Sequence, residues 1–250
     1  MDLDFAAIDP TALALAVAGL IGAGIVKGAT GLGYATCALP FLVPAVGLQT
    51  AVAAILGPAI ATNVGVALGA GHLRETWHRF RTFYLATVPG IGVGIVVLSH
   101  LDQALATRSL GIIILLYAAL SLGQPALTLQ PRTARWLMVP SGIATGMITG
   151  LTGSQVMPLL PYMMALGLAP DRLVQAINLS VLICSSALAL LLLGTGTVPL
   201  ILALASLAAV PLALAGVWLG TRLRRHIAPA TFRRLMLMVL LGMGLALALR

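Results

Sequence analysis

Residues 136–168 read WLMVPSGIATGMITGLTGSQVMPLLPYMMALGL, 33 residues without a formal charge. Their length decides the fold. A helix crosses about 30 Å of hydrocarbon with about 20 residues, so the stretch is too long for one crossing and too short for two with a turn. Gly153, Pro158, Pro161 and Gly167 all fall in its second half. Two half-length helices of about 15 residues would reach only about 22 Å each. The stretch therefore predicts a re-entrant helical hairpin that enters and leaves the membrane by one face.

Residues 11–47 have the same form. Gly24-Ile-Val-Lys-Gly28-Ala-Thr30-Gly31 aligns with Gly146-Met-Ile-Thr-Gly150-Leu-Thr152-Gly153 at an offset of 122 positions. Pro89 and Gly94 repeat at Pro211 and Gly216, while Pro40 and Gly47-Leu48 repeat at Pro161 and Gly167-Leu168 with slight drift. The chain thus reads as two homologous halves, about 11–123 and 136–249, joined by the loop 124–135. Outside the hairpins, charge-free apolar stretches supply three crossings per half. They are 48–71, 82–101 and 109–131 in the first half, two within 173–221 around the turn 194–197, and a short one at 235–249 whose flanking Arg233, Arg234 and Arg250 snorkel outward.

Composition agrees with this class. Hydrophobic residues make up 60% of the 250 and charged residues 8%, against about 25% charged in soluble domains. Unbroken apolar runs exclude a membrane β-barrel, whose strands alternate. The start carries Asp2, Asp4 and Asp9 and no Lys or Arg, which is not a signal-peptide start. The formal net charge of +8 is loop charge that orients the protein, not a nucleic-acid footprint.

Arginine placement selects the topology. Eight simple crossings would divide the loop charges 6 against 7, without bias. With both hairpins re-entrant, the loops 72–81, 124–135, 171–172 and 221–234 share one side and hold 11 arginines, leaving Arg108 and Arg250 opposite. The positive-inside rule favours the second arrangement. Each half then crosses an odd number of times, so the halves are inverted relative to one another. The fold expected is an all-α polytopic membrane protein of two inverted repeats, each a re-entrant hairpin plus three transmembrane helices. Both termini fall on the non-cytoplasmic side.

Non-helical backbone at membrane depth is tolerated where it lines a cavity, so the hairpin tips are the candidate site. The first tip is Lys27-Gly28-Ala-Thr30-Gly31-Leu-Gly33-Tyr34 and the second is Thr149-Gly150-Leu-Thr152-Gly153-Ser154-Gln155. Glycines expose N–H groups, hydroxyls add donors, and the second helix of each hairpin begins at its tip with its dipole toward the cavity. This chemistry suits an anion. Lys27 is the one formal charge in the predicted membrane core, with no carboxylate at that depth, so a bound anion is an attractive partner; the alternative is a lysine that snorkels along a tilted helix to the interface or sits neutral. Asn63 and Asn178, within later helices, are further candidates, each also able to serve as a simple interhelical hydrogen bond.

The substrate-binding set is therefore Lys27, Gly28, Thr30, Gly31, Gly33, Asn63, Thr149, Thr152, Gly153, Ser154, Gln155 and Asn178. The glycine spacings Gly24/Gly28 and Gly142/Gly146/Gly150 read as close helix packing, and Cys37 and Cys184 as packing residues. His72, His78, His100 and His226 all sit in loops or at span ends. No embedded histidine is thus available as a base for the Thr152-Gly153-Ser154 segment, which argues against an enzyme. No cofactor or metal is expected.

Two apolar repeats, each opening on a glycine-rich segment followed by Pro and Gly-Leu, resemble the sulfite exporter TauE/SafE family. Gly28-Ala-Thr-Gly31-Leu-Gly33…Pro40 and Gly150-Leu-Thr-Gly153…Pro158…Pro161 carry the resemblance. It implies a transporter of the bacterial cytoplasmic membrane exporting sulfite or a small organosulfur anion such as sulfoacetate. An anion channel or uniporter for another oxyanion, or an accessory membrane subunit, are the alternatives. The expected partners are the small anion and the lipid bilayer, with a homodimer compatible.

Overall fold

The computed structural model describes residues 10–69, 71–123, 128–223 and 229–249. The acidic start with Asp2, Asp4 and Asp9, and also Arg224, Arg225, His226 and Arg250, lie outside the described residues. Among those described there are eleven helices and no strand. They are α1 (Pro10–Thr30), α2 (Tyr34–Val46), α3 (Leu48–Gly69), α4 (Leu73–His100), α5 (Gln103–Gly123), α6 (Pro131–Thr152), α7 (Leu159–Met164), α8 (Pro170–Gly194), α9 (Leu200–Ala208), α10 (Val210–Leu223) and α11 (Pro229–Ala248).

Six stretches are long and apolar enough to cross a membrane: Leu13–Thr30, Leu48–Ala67, Leu73–His100, Gln103–Gly123, Pro170–Gly194 and Leu200–Leu223. The last spans α9 and α10, which are interrupted at Ala209. Pro211 has no N–H to give to the preceding turn, and that accounts for the break. Arg234–Ala248 is a shorter apolar helix. The outside of the bundle is apolar: Leu190 is 71% exposed and Leu200 75%. The interior is mainly apolar but also holds polar side chains, with Thr149, Thr152, Ser154, Gln175, Asn178 and Ser185 all buried. A water-soluble fold does not expose so many large apolar residues; in a bilayer the outer leucines face lipid.

Both hairpins fold back on themselves. An added Cβ on Gly19 would overlap Phe41, so α2 lies along α1 with its chain direction reversed. In the second hairpin the Leu129 amide donates to the Ala165 carbonyl (2.9 Å) and the Tyr162 hydroxyl to the Ala134 carbonyl (2.9 Å). The chain beyond the tip thus returns to the level at which α6 begins. The arms are unequal, which corrects the half-length expectation. α1 has 21 residues and α6 has 22, whereas α2 has 13 and α7 only 6. Pro140 lies inside α6 without ending it, and the left-handed glycines Gly31 and Gly153 come only at the tips, while Pro158 and Pro161 delay and shorten α7.

The segment 72–81 is also more ordered than a loop. It forms the first turns of α4, whose 28 residues reach about 42 Å, beyond the hydrocarbon. All three tryptophans stand near arginines at such ends: Trp77 in α4, Trp136 in α6, and Trp218 with the Arg222 guanidinium 3.8 Å above its ring. This is the placement of an interfacial aromatic belt. Arg172 of α8 pairs with Glu75 of α4 on the same side; both are well exposed, so the pair contributes little stability.

Close packing runs through glycine. α6 lies on α4 with Gly146 against the Thr87 carbonyl and Gly150 against the Ile91 carbonyl; α1 lies on α10 with Gly24 against the Ala213 carbonyl. No side chain fits at these crossings. The remaining main pairings are α3 with α8 and α5 with α11. α3 and α8 run antiparallel: Gln175, near the start of α8, donates to the Ala67 carbonyl near the end of α3 (3.2 Å). Gln49 and Leu192 line one recess at their other ends.

Candidate functional site

The end of α1 brings Lys27 between α3 and α8. Its Nζ donates to Asn63 Oδ1 (2.6 Å) and to Asn178 Oδ1 (2.6 Å), and the lysine is 3% exposed. Both amides are held in that orientation by their own donors. Asn63 Nδ2 gives to the Ala59 carbonyl (2.6 Å), and Asn178 Nδ2 gives to those of Val174 (2.8 Å) and Gly31 (3.0 Å). The last bond ties the first tip to α8. An ammonium has three donors, and two are used here. Its partners are neutral; the described acidic residues, Glu75, Asp102 and Asp171, are all exposed at helix ends. A buried cation with dipoles alone around it keeps its charge uncompensated.

Lys27, Asn63 and Asn178 face a small cavity of about 30 Å³, together with Gly33, Tyr34, Thr36 and Gln155. That is room for about one water molecule, and less than a sulfur oxyanion needs. Leu32, Val156, Leu160, Ile177 and Val181 form its apolar wall. Gly33, with φ of 84°, ends the tip in a left-handed conformation and begins α2 without a side-chain cap. The first helical bond runs from the Cys37 amide to the Gly33 carbonyl (3.0 Å). The positive end of the α2 dipole is thus at the cavity wall, as an anion site requires. The second tip lacks this feature, since α7 begins only at Leu159, five residues beyond Ser154.

Among the residues singled out from sequence, the cavity gathers Lys27, Gly33, Asn63, Gln155 and Asn178, with Gly31 one hydrogen bond away. The tip threonines turn inward on their own backbone. Thr30 Oγ1 donates to the Val26 carbonyl (2.8 Å) and accepts from the Leu32 amide (3.2 Å); Thr152 Oγ1 donates to Ile148 (2.8 Å) and accepts from Ser154 (3.2 Å). The same turn, 122 residues apart, repeats the sequence correspondence in three dimensions. Ser154 instead bonds Thr36 across the two hairpins (3.2 Å), Gly153 sits on Val52, and Gly28 packs against the Val217 carbonyl. Thr149 Oγ1 donates to Thr145 (2.7 Å). Gln155 Nε2 donates to Ser185 Oγ (2.9 Å).

The charge is one-sided. The positions 122 residues after Lys27 and Asn63 are Thr149 and Ser185, both neutral. The binding set read from sequence left out Tyr34, which closes the first tip, and Thr36; both line the cavity from the first turn of α2. The available signal was their position directly after the Gly33 break.

Asn178→Asp tests the uncompensated charge. A carboxylate 2.6 Å from Nζ would neutralise the ammonium and occupy the place of an anion. The expected result is anion binding weakened by about 2–5 kcal/mol, read as loss of the sulfite-induced thermal shift; the anion-free Tm balances the new ion pair against the lost Nδ2 donors to the Val174 and Gly31 carbonyls.

The TauE/SafE sulfite exporter family profile matches residues 15–247. A relative from Cupriavidus necator, named "Probable sulfite/organosulfonate exporter TauE", is 27% identical over 201 residues, covering 79% of this chain and 78% of the relative. No solved structure matches. The family is one of exporters and not of enzymes. Its match spans nearly the whole bundle, from the first hairpin to the end of α11: the chain belongs to the TauE/SafE sulfite exporter family.

Proposed function

We propose that the chain is a secondary transporter that exports sulfite or a small organosulfur anion, such as sulfoacetate, across the bacterial cytoplasmic membrane by alternating access. The observation that carries this reading is the Lys27 ammonium, buried among neutral partners with a third donor left for a ligand. The uncapped start of α2 and the cavity shared with Gln155 add donors to the same place. The bound anion completes the charge of Lys27, and its desolvation is offset by an ion pair in a low-dielectric interior.

Two features support inverted repeats. Equivalent helices α3 and α8 run antiparallel. The pairings α1 with α10 and α4 with α6 are reciprocal, because α1 corresponds to α6 and α4 to α9–α10. Under the arginine bias, the Pro170 end of α8 is cytoplasmic. Asn178 then lies about 12 Å from that end along the helix.

On the opposite side, a recess of about 130 Å³ is lined by Val52, Gly150, Leu188 and Thr197. Between it and the Lys27 cavity stand the second-tip contacts, Gly153 on Val52, Ser154 with Thr36 and Gln155 with Ser185. Parting these contacts opens the cavity outward, and closing them while the first tip leaves α8 opens it inward. Binding must widen the cavity in either case.

Counterflow in proteoliposomes tests the transport reading. Preloaded unlabelled sulfite should drive saturable uptake of labelled sulfite; flux that never saturates and carries single-channel current would instead identify a channel. Orientation has its own test. Cys37 and Cys184 are buried, so added cysteines report alone. A membrane-impermeant maleimide should label Thr195→Cys on intact cells and His78→Cys only after permeabilisation; the opposite pattern would reverse the topology.

A further inference from the structure

Two buried polar atoms in the tip region have no hydrogen-bond partner among the described residues: the Tyr34 hydroxyl and Gln155 Oε1. Both residues line the Lys27 cavity, and they are 2% and 3% exposed. Buried hydroxyls and amides are otherwise nearly always bonded, because leaving them unpaired forfeits their hydration without return. Elsewhere among the described residues one other buried side-chain atom, Ser180 Oγ on α8, has no partner. The buried hydroxyls of Thr36, Thr62, Thr87, Tyr84 and Tyr162 each have a partner. Unpaired groups concentrated on one cavity, beside a cation with a donor to spare, indicate a site finished by its ligand.

We propose that the Tyr34 hydroxyl is a direct ligand of the transported anion, donating a hydrogen bond to one of its oxygens beside the Lys27 ammonium. This rests on the anion-transport reading and extends it to a residue of the α2 first turn. The phenol sits on a rigid ring immediately after the left-handed Gly33, so its position is set by the tip and not by a flexible stem. Gln155 is suited to join it. A half-turn of its carboxamide lets Ser185 donate to Oε1 and brings the Nε2 hydrogens to the position of the unpaired atom. Three kinds of donor then converge on one ligand: ammonium, phenol and amide. Such a set selects a ligand that only accepts hydrogen bonds, such as a fully ionised SO₃ group. It disfavours one that carries its own O–H, because the ammonium and the amide NH₂ offer that hydrogen no acceptor.

Tyr34→Phe removes the hydroxyl and keeps the ring. In the purified full-length protein, kept anaerobic so that sulfite is not oxidised, thermal shift and binding are measured with sulfite and with methanesulfonate. The expected result has two parts. Without anion, the Tm of Tyr34→Phe equals or exceeds that of the wild type, because an unpaired buried hydroxyl has gone. With sulfite, the stabilisation seen in the wild type shrinks and Kd rises about 10- to 100-fold, the loss of one hydrogen bond to a charged group. A lower Tm without anion would make the hydroxyl a structural group and overturn the proposal. Unchanged sulfite affinity in Tyr34→Phe, with affinity lost in Lys27→Met, would overturn it while leaving the transport site standing. If neither anion stabilises the wild type, the anion reading itself falls, and Tyr34 with it.

Discussion

Lys27→Met is expected to abolish saturable sulfite flux in proteoliposomes while the protein stays folded. Methionine keeps the length and apolar volume of the lysine stem and removes only the charge and its donors. Truncating one member of a buried charge pair costs about 2–5 kcal/mol of binding, roughly 30-fold to several thousand-fold in affinity. In the anion-free protein the consequences oppose one another. Asn63 and Asn178 lose the donor to their Oδ1 atoms, about 1–3 kcal/mol for each unsatisfied group. Against that, the protein no longer buries an ammonium, a cost of several kcal/mol. The Tm should therefore move by no more than about 5 °C. Flux kept at wild-type level would remove Lys27 from the site.

The largest effect on stability is expected at Gly146. A side chain there would be driven into the Thr87 carbonyl, with the Ile91 amide nitrogen 2.9 Å from its Cβ. Both obstacles are backbone of α4 and cannot rotate away. Gly146→Leu must push α6 off α4, and with it the whole second hairpin. A cost of about 3 kcal/mol or more follows from overpacking on this scale, enough to lower the Tm by several degrees or to prevent accumulation in the membrane. Gly92, one turn away on the open side of α4, meets nothing within 4 Å. Gly92→Ala should be neutral or stabilising by up to about 1 kcal/mol. The contrast, read by fluorescence size-exclusion melting, separates a packing glycine from a helix glycine of no consequence.

The fold-back at each tip was legible because glycines and prolines interrupt a stretch too long for one crossing, although Leu13–Thr30 of α1 is by itself long and apolar enough to cross. The arm lengths were not legible. A count of residues places the tip midway, whereas the helix actually continues until a breaker stops it, at Gly31 and Gly153. Lys27 was legible as an isolated charge. That Asn63 and Asn178 meet it was not, since these residues are 36 and 151 positions from it and only helix packing joins them. The tip threonines illustrate the opposite error. Thr30 and Thr152 have the chemistry of ligands, but a hydroxyl near a helix end finds its own carbonyl four residues back. Local geometry satisfied them before a substrate could. Tyr34 was hidden for another reason: an aromatic residue entering an apolar helix looks like core, and only the unpaired state of its hydroxyl distinguishes it.

The central claim is that the Lys27 ammonium holds the anion. Equilibrium binding of ³⁵S-sulfite to the purified wild type and Lys27→Met proteins tests it most directly, with sulfate, sulfoacetate and chloride as competitors. The account predicts saturable binding to the wild type, displaced by sulfoacetate, and loss of that binding in the variant. Equal sulfite binding by both proteins would contradict it.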